Sequence, residues 1–374
     1  MSNTSNILRN YNYQDVGVNP NFSKDIILST QKILVDWIID IAKKRDFEEW
    51  ITIDFPWTKM QDDWIMVIKT KKWYQVTVSF CDVGSWINVL SSMGLEALNR
   101  VQTEVSWKIL VPIFPYNLSH SVFSLNENEL KPALSVKLDI DFEWHIENIK
   151  VFQSKFKNIK KLTFQDFENE LKNPDSKYFE IIKNINEVAK LRFARIKKIN
   201  LSDVVISRPG DFEIWELMKM TWYAVNRFLV QSKVEQIIKF DKSKYYIWSY
   251  FDPQSNSNYT TVTSPLRYYS DFLVWARISK ILNDIPFVFS KEDLDFVLNR
   301  INNYKQNKNK PNIEAKKPKI NHHKKPSKSQ NIHPKIDKNQ EERISVLKKF
   351  ADIKNKDFLL EYLPKALISK DKDI

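Results

Sequence analysis

Ile51-Thr52-Ile53-Asp54-Phe55-Pro56-Trp57-Thr58-Lys59-Met60-Gln61-Asp62-Asp63-Trp64 is the stretch from which the rest of the chain can be read. Ile51, Thr52 and Ile53 are apolar or β-branched and predict a short buried strand with Asp54 at its end. Pro56 breaks that strand, and a loop leads to the adjacent pair Asp62 and Asp63. Trp64-Ile65-Met66-Val67-Ile68-Lys69-Thr70 then predicts a second strand. Neighbouring carboxylates repel, so a fold that gathers them beside a third commonly supplies a cation. An oxygen-only set suits magnesium, which takes one or two carboxylates and completes its shell with water and phosphate oxygens. The same residues would equally make a solvated turn with an ordinary Asp-Asp pair, and the choice depends on the rest of the chain.

Working outward, Ile33, Leu34, Trp37, Ile38 and Ile41 recur at helical spacing within 26–45, preceded by a polar, loop-like run up to Lys24. After the acidic stretch, Trp73 to Val83 alternates as a strand should, and Trp86 to Val105 reads as a helix. Pro112 and Pro115 bracket an extended segment. Two further strands are expected at 133–139 and 145–153. Beyond them the pattern is helical: 163–171, 178–198, 212–234, 265–282 and 291–304. Thr163 with Asp166 has the spacing of a helix N-cap. Strands first and helices after predict an α+β fold, with a mixed β-sheet core in the N-terminal half, helices packed around it and a mostly helical second half.

Composition narrows the function classes. The chain has 374 residues, 43% of them hydrophobic, enough for a large core. Only 4 glycines are present, so no Gly-rich phosphate loop can be written. The lone Cys81 excludes a disulfide framework and a multi-cysteine zinc site, and it suits a reducing, intracellular compartment. No secretory signal opens the chain, and no apolar run approaches the roughly 20 residues that span a bilayer, so no membrane association is expected. Most of the +12 net charge lies between Asn303 and Gln340, where 11 lysines face Glu314 and Asp337. That segment has few large apolar residues to offset its ordering entropy. The expected organisation is a flexible 1–25, a globular 26–304, a disordered Lys-rich 305–340 and a short helical 341–374 available to protein partners, in a monomer. The basic segment suggests a polyanion partner through counterion release, or a solubilising tail.

Several segments, in order, resemble the RNB catalytic domain of RNase II and RNase R. Lys44-Arg45-Asp46-Phe47 followed by the acidic stretch is similar to that domain's opening signature, which ends in Asp-Asp. Phe80-Cys81-Asp82-Val83 resembles its next strand, and Val111-Pro112-Ile113-Phe114-Pro115 with Leu118-Ser119 its proline-bracketed segment. Phe123-Ser124-Leu125-Asn126 through Ala133-Leu134 continues the likeness. Thr263-Ser264-Pro265-Leu266-Arg267-Tyr268-Tyr269-Ser270-Asp271 resembles the family's Thr-Ser-Pro-Ile-Arg-Arg-Tyr-Ala-Asp run. The resemblance implies 3′-to-5′ hydrolysis of single-stranded RNA with Mg2+. It implies Asp54, Asp62 and Asp63 as metal ligands and Arg267 as the cation that neutralises charge on the phosphate. For Arg267 a surface salt bridge with Asp271 is the alternative. It further implies RNA contacts at Phe164, Thr263, Ser264, Tyr269 and Glu216, with Trp107 near another stacking position.

The chain also departs from the pattern. Met60 stands where the family carries an aspartate, and thioether sulfur is a poor ligand for a hard cation. Tyr268 replaces a second arginine, Thr261 and Trp275 replace histidines, and Trp222 replaces an asparagine. Neither end has strands for the flanking RNA-binding barrels of RNase II. Two readings follow: a compact exoribonuclease whose basic tail substitutes for those barrels, or a catalytically impaired RNB-fold RNA-binding or scaffold protein.

Overall fold

The computed structural model describes residues 3–13, 21–41, 45–105, 110–234, 236–240, 244–248 and 258–308. Five strands close into a barrel: β1 (Asp46–Ile53), β2 (Asp63–Lys69), β3 (Trp73–Cys81), β6 (Leu130–Asp141) and β7 (Ile146–Leu162). β2, β3, β6 and β7 pair antiparallel in succession, and β1 closes the ring by running parallel to β7. The strands are those expected, but β6 and β7 are longer, because charged residues such as Lys155 and Lys157 sit on their solvent side without interrupting the ladder. A mixed sheet was expected; the parallel β1–β7 pairing is what turns it into a barrel.

The inside is filled by large rings and small hydroxyls. Trp64 stacks on Phe156 at 4.1 Å, and both are fully buried. Ser79, Ser135 and Ser154 form a buried hydroxyl chain across β3, β6 and β7. Where the β1–β7 register shifts, at Trp50/Ile51, Asn158 is wholly buried and donates to Thr52 Oγ1 (3.0 Å) and the Leu125 carbonyl (2.9 Å). The bulge leaves backbone groups out of the ladder, and Asn158 Oδ1 accepts one of them, the Lys160 N–H (3.1 Å).

Helices pack around the barrel. α2 (Lys24–Ile41) precedes β1, and α3 (Ser92–Arg100) follows β3. The helix expected at 86–105 is shorter. Trp86 and Ile87 belong to turns, and α3 starts where Ser91 Oγ accepts the Gly94 N–H (3.1 Å). A two-stranded ribbon, β4 (Glu104–Val105) with β5 (Leu110–Val111), follows. α4 (Phe164–Leu171) opens with the expected capping box between Thr163 and Asp166. α5 (Phe179–Lys197) and α6 (Asp211–Gln231) lie against each other, and Asn184 of α5 donates to the Val67 carbonyl of β2 (3.3 Å). α7 (Tyr269–Leu282) is almost wholly buried, and α8 (Lys291–Lys308) ends the described chain.

Two expectations need correction. Residues near the start are not loop: α1 (Asn3–Asn10) packs down through a fully buried Leu8, and Ser5 and Arg9 bond Asp293 of α8 at 2.7 and 3.0 Å. The second half is mostly helical, as expected, and adds a small antiparallel sheet of β8 (Gln236–Phe240), β9 (Lys244–Trp248) and β10 (Asn258–Thr260). α8 runs to Lys308, so the last helix extends past Tyr304. The expected Lys-rich linker beyond it and the helices at 341–374 lie outside the described residues.

Gly84 couples barrel to helix. A Cβ there would lie 2.5 Å from the Ala276 nitrogen and 2.6 Å from the Trp275 carbonyl carbon, both backbone atoms of α7. Beside it, Ser85 Oγ and Ser279 Oγ are 2.7 Å apart. Neither backbone has a flexible end that could move aside. Gly84→Ala is expected to destabilise the protein by about 1–3 kcal/mol through overpacking, measured by urea unfolding. An unchanged midpoint would mean that α7 can withdraw freely from the barrel.

Candidate active site

Asp54 follows β1, Asp62 and Asp63 enter β2, and Arg267 lies in the turn before α7, so four distant residues meet at one end of the barrel. The meeting is held by Asp62, whose carboxylate is completely buried. Its Oδ2 accepts Arg267 Nε at 2.7 Å, and its Oδ1 accepts the Leu266 N–H at 2.8 Å. The two residues are 205 positions apart. Charge-assisted bonds to a buried carboxylate are among the stronger polar contacts in proteins. The Arg267 side chain is 43% exposed, so one face of the guanidinium remains open while its Nη2 donates to Ser264 Oγ (2.9 Å).

The turn that carries Arg267 is fixed from several sides. The Arg267 and Tyr268 amides both donate to the Ser264 carbonyl, at 3.0 and 2.9 Å. The Thr103 N–H donates to the Arg267 carbonyl (2.7 Å). Asp271 accepts the Ser264 N–H (3.0 Å) and the Ser270 hydroxyl (2.8 Å). Asp271 is thus the anchor of this turn, and the ion-pair partner of Arg267 is Asp62. Trp275, where the resemblance led one to expect a histidine, donates its indole N–H to the Val262 carbonyl (2.6 Å) and holds the segment that follows residue 260.

The remaining carboxylates are less settled. Asp54 Oδ1 accepts the Phe55 N–H (2.8 Å) and the Thr58 hydroxyl (2.7 Å). Neither Asp54 Oδ2 nor the Asp63 carboxylate has a hydrogen-bond partner among the described residues. Burial, then repulsion from Asp54 and Asp62, pushes the Asp63 carboxyl up to about 8, against the pull of Arg267. Burial also raises Asp62, to about 6, although Arg267 and the Leu266 N–H oppose it. Burial alone would lower Arg267; the carboxylates Asp62, Asp63 and Asp54 outweigh it and hold its proton more firmly than usual.

Among the described residues no three His, Cys, Asp or Glu side chains are grouped as ready metal ligands. Both Asp62 oxygens are taken, by Arg267 and by the Leu266 N–H. Met60, buried at 6% exposure, adds no oxygen. The oxygens open to a hard cation are those of Asp63 and Asp54 Oδ2. Two carboxylates meet what magnesium asks of a protein, and their mutual repulsion is what a cation would relieve.

The expected RNA contacts divide. Phe164 is part-buried and meets Phe55 edge to face, with ring centroids 4.8 Å apart. Thr263 is part-buried and Ser264 holds the arginine. Tyr269 and Glu216, by contrast, are interior residues. Tyr269 is fully buried against Phe272 in α7, and Glu216 is 1% exposed between Arg192 and Lys219. Trp107 lies outside the described residues. One residue that spacing alone did not mark is Arg45, which donates to buried Asp82 (3.1 Å) and ties the start of β1 to the end of β3. Among the described residues no helix is long and apolar enough to cross a membrane.

The strands that carry the barrel and its carboxylates fall in a stretch, residues 44–214, that matches the RNB domain model. Over that stretch the chain is similar to RNB domains, at low sequence identity. It is 23% identical over 261 residues to ribonuclease R of Mycoplasmopsis pulmonis, a match covering 59% of this chain and 36% of that one. The fold resembles Mycoplasma genitalium RNase R solved with ribose-methylated single-stranded RNA, with TM-score 0.63, 16% identity, and 76% and 59% of the two chains covered. It also resembles yeast Ssd1, described as a pseudonuclease, with TM-score 0.58, 16% identity, and 72% and 44% covered. The chain thus spans about a third of the length of the M. pulmonis ribonuclease.

The raised Asp63 carboxyl sets a pH dependence. In the absence of divalent metal the folded state keeps a proton that the unfolded chain loses above its lower pKa, so stability falls as pH rises from about 4 to about 8. Asp63→Asn removes the repelling charge. It should raise the metal-free melting temperature at pH 8 and flatten that decline, checked by thermal unfolding in EDTA at pH 5 and pH 8. Equal melting shifts at both pH values would count against the repulsion.

Proposed function

We propose that the protein is a hydrolytic exoribonuclease that degrades single-stranded RNA from the 3′ end with magnesium. The observation that carries this reading is the 2.7 Å Asp62–Arg267 contact beside Asp63 and the Asp54 Oδ2, which have no hydrogen-bond partner among the described residues. An arginine with one open face and a firmly held proton suits a phosphodiester: its planar fork matches phosphate oxygens and offsets charge that builds during displacement. Asp62 acts by orienting that fork. Asp54 and Asp63 would hold magnesium. When bound, the metal supplies a polarised phosphoryl oxygen and a water of lowered pKa. RNase R relatives and the RNA-bound M. genitalium structure support RNA as the substrate.

One observation favours a second reading, an RNB fold that binds RNA without cutting it. Met60 removes a carboxylate from the signature, and Asp62 is fully occupied, as a non-cutting relative such as Ssd1 would tolerate. Incubation of a 5′-labelled single-stranded oligoribonucleotide with magnesium decides between them. A ladder shortening from the 3′ end is expected, lost in Asp63→Asn and slowed about 10²–10³-fold in Arg267→Ala. Retention of intact RNA, bound but uncut in both magnesium and manganese, would establish the second reading.

The lysines beyond α8 add a separable contribution. Removing residues 309–374 leaves every contact described above in place. Counterion release predicts weaker RNA binding and a shallower slope of log affinity against log salt. Filter binding between about 50 and 200 mM salt measures it; an unchanged slope removes this segment from RNA binding.

A further inference from the structure

We propose that Phe55 and Trp57 form a stacking platform, backed by Phe164, that holds the terminal bases of single-stranded RNA beside the carboxylates. The proposal rests on the RNA-directed reading above and adds residues that the signature does not contain. Trp57 is 74% exposed and Phe55 46%. Their rings lie nearly parallel, with centroids 5.0 Å apart and 13° between the planes. Two large stacked rings facing water at the lip of a charged site form an apolar surface that nothing in the described chain covers.

The platform is rigid. Asp54 Oδ1 takes both the Phe55 N–H and the Thr58 hydroxyl, the Thr58 N–H closes the turn on the Phe55 carbonyl (3.0 Å), and Lys161 Nζ clamps the Thr58 carbonyl (2.8 Å). Phe164 meets Phe55 edge-on at 84°. Behind it lies Gly210, at φ 86, where a Cβ would come 3.1 Å from the Phe164 ring. The turn that carries both rings is therefore fixed before any ligand arrives, which lowers the entropy lost on stacking.

An RNA base is the occupant that these features fit. The carboxylate that folds the turn, Asp54, is the same one offered to the reaction, so whatever lies on the rings is next to the scissile end. Every base has a flat π-face, so the contact tolerates sequence, as a degradative enzyme needs. Exposed Lys59 in the same loop supplies the matching charge for the backbone.

The test is fluorescence anisotropy with a 5′-labelled oligoribonucleotide in EDTA, so that nothing is cut. Trp57→Ala should weaken binding about five- to hundredfold, Trp57→Phe much less, with the unfolding midpoint unchanged because Trp57 is mostly solvent-exposed. An RNA with abasic sites at its last two 3′ positions should bind wild type as weakly as the variant binds intact RNA, and Trp57→Ala should not weaken it further. Full-affinity binding by Trp57→Ala, or equal losses on intact and abasic RNA, overturns the platform while leaving the nuclease reading in place. Wild type that binds no RNA overturns both.

Discussion

Everything at the barrel's end depends on one buried carboxylate receiving two donors from the far side of the chain. Asp62 brings the Leu266 amide and the Arg267 guanidinium onto the strand that carries Asp63. Without this contact the turn before α7 would keep its bonds to Ser264, Asp271 and Thr103, but nothing would aim the Arg267 guanidinium at the carboxylates. The contact is strong because it is dry. The same dryness makes it costly, since burial pulls the Asp62 carboxyl toward its neutral form. Arg267 offsets that penalty, and Asp62 in turn fixes where the arginine points. Each charge is tolerable only in the presence of the other.

Around this contact the fold is a device for bringing together sequence-distant ends. β1 and β2 deliver carboxylates from a single loop, because a strand must leave the barrel at Ile53 and re-enter at Asp63. α7 delivers the arginine because Gly84 lets its backbone approach the chain leaving β3 almost to contact distance. Arg45 and Asp82 fasten the beginning of β1 to that same corner. The site is therefore made mostly of element ends, where backbone amides are free to take part, on elements whose middles are fixed by packing.

Much of this was legible in the sequence, for identifiable reasons. Ile51 to Asp54 and Asp62 to Lys69 alternate or cluster strongly enough to read as strands, and Thr163 with Asp166 marks a helix start by spacing alone. The convergence of Arg267 on Asp62 followed from resemblance rather than from any local pattern, since nothing in periodicity links positions 205 apart. What stayed hidden was set by tertiary contacts. α1 is a short polar segment held by Asp293, and β8 to β10 have too few residues for their alternation to stand out. Tyr269 and Glu216 sit within signature-like runs yet face inward, because a motif records identity and not direction. Arg45 stood out only through the resemblance, and its ion pair stayed hidden because its partner, Asp82, lies just beyond β3.

The double duty of Asp62 bears on how descent should be read in proteins of this kind. Loss of Asp63 would take away only a carboxylate facing the site, whereas loss of Asp62 would also release the arginine from the strand that carries Asp63. The presence of Asp62 in a chain therefore speaks for architecture as much as for turnover. A tally of signature aspartates should weigh it apart from Asp54 and Asp63.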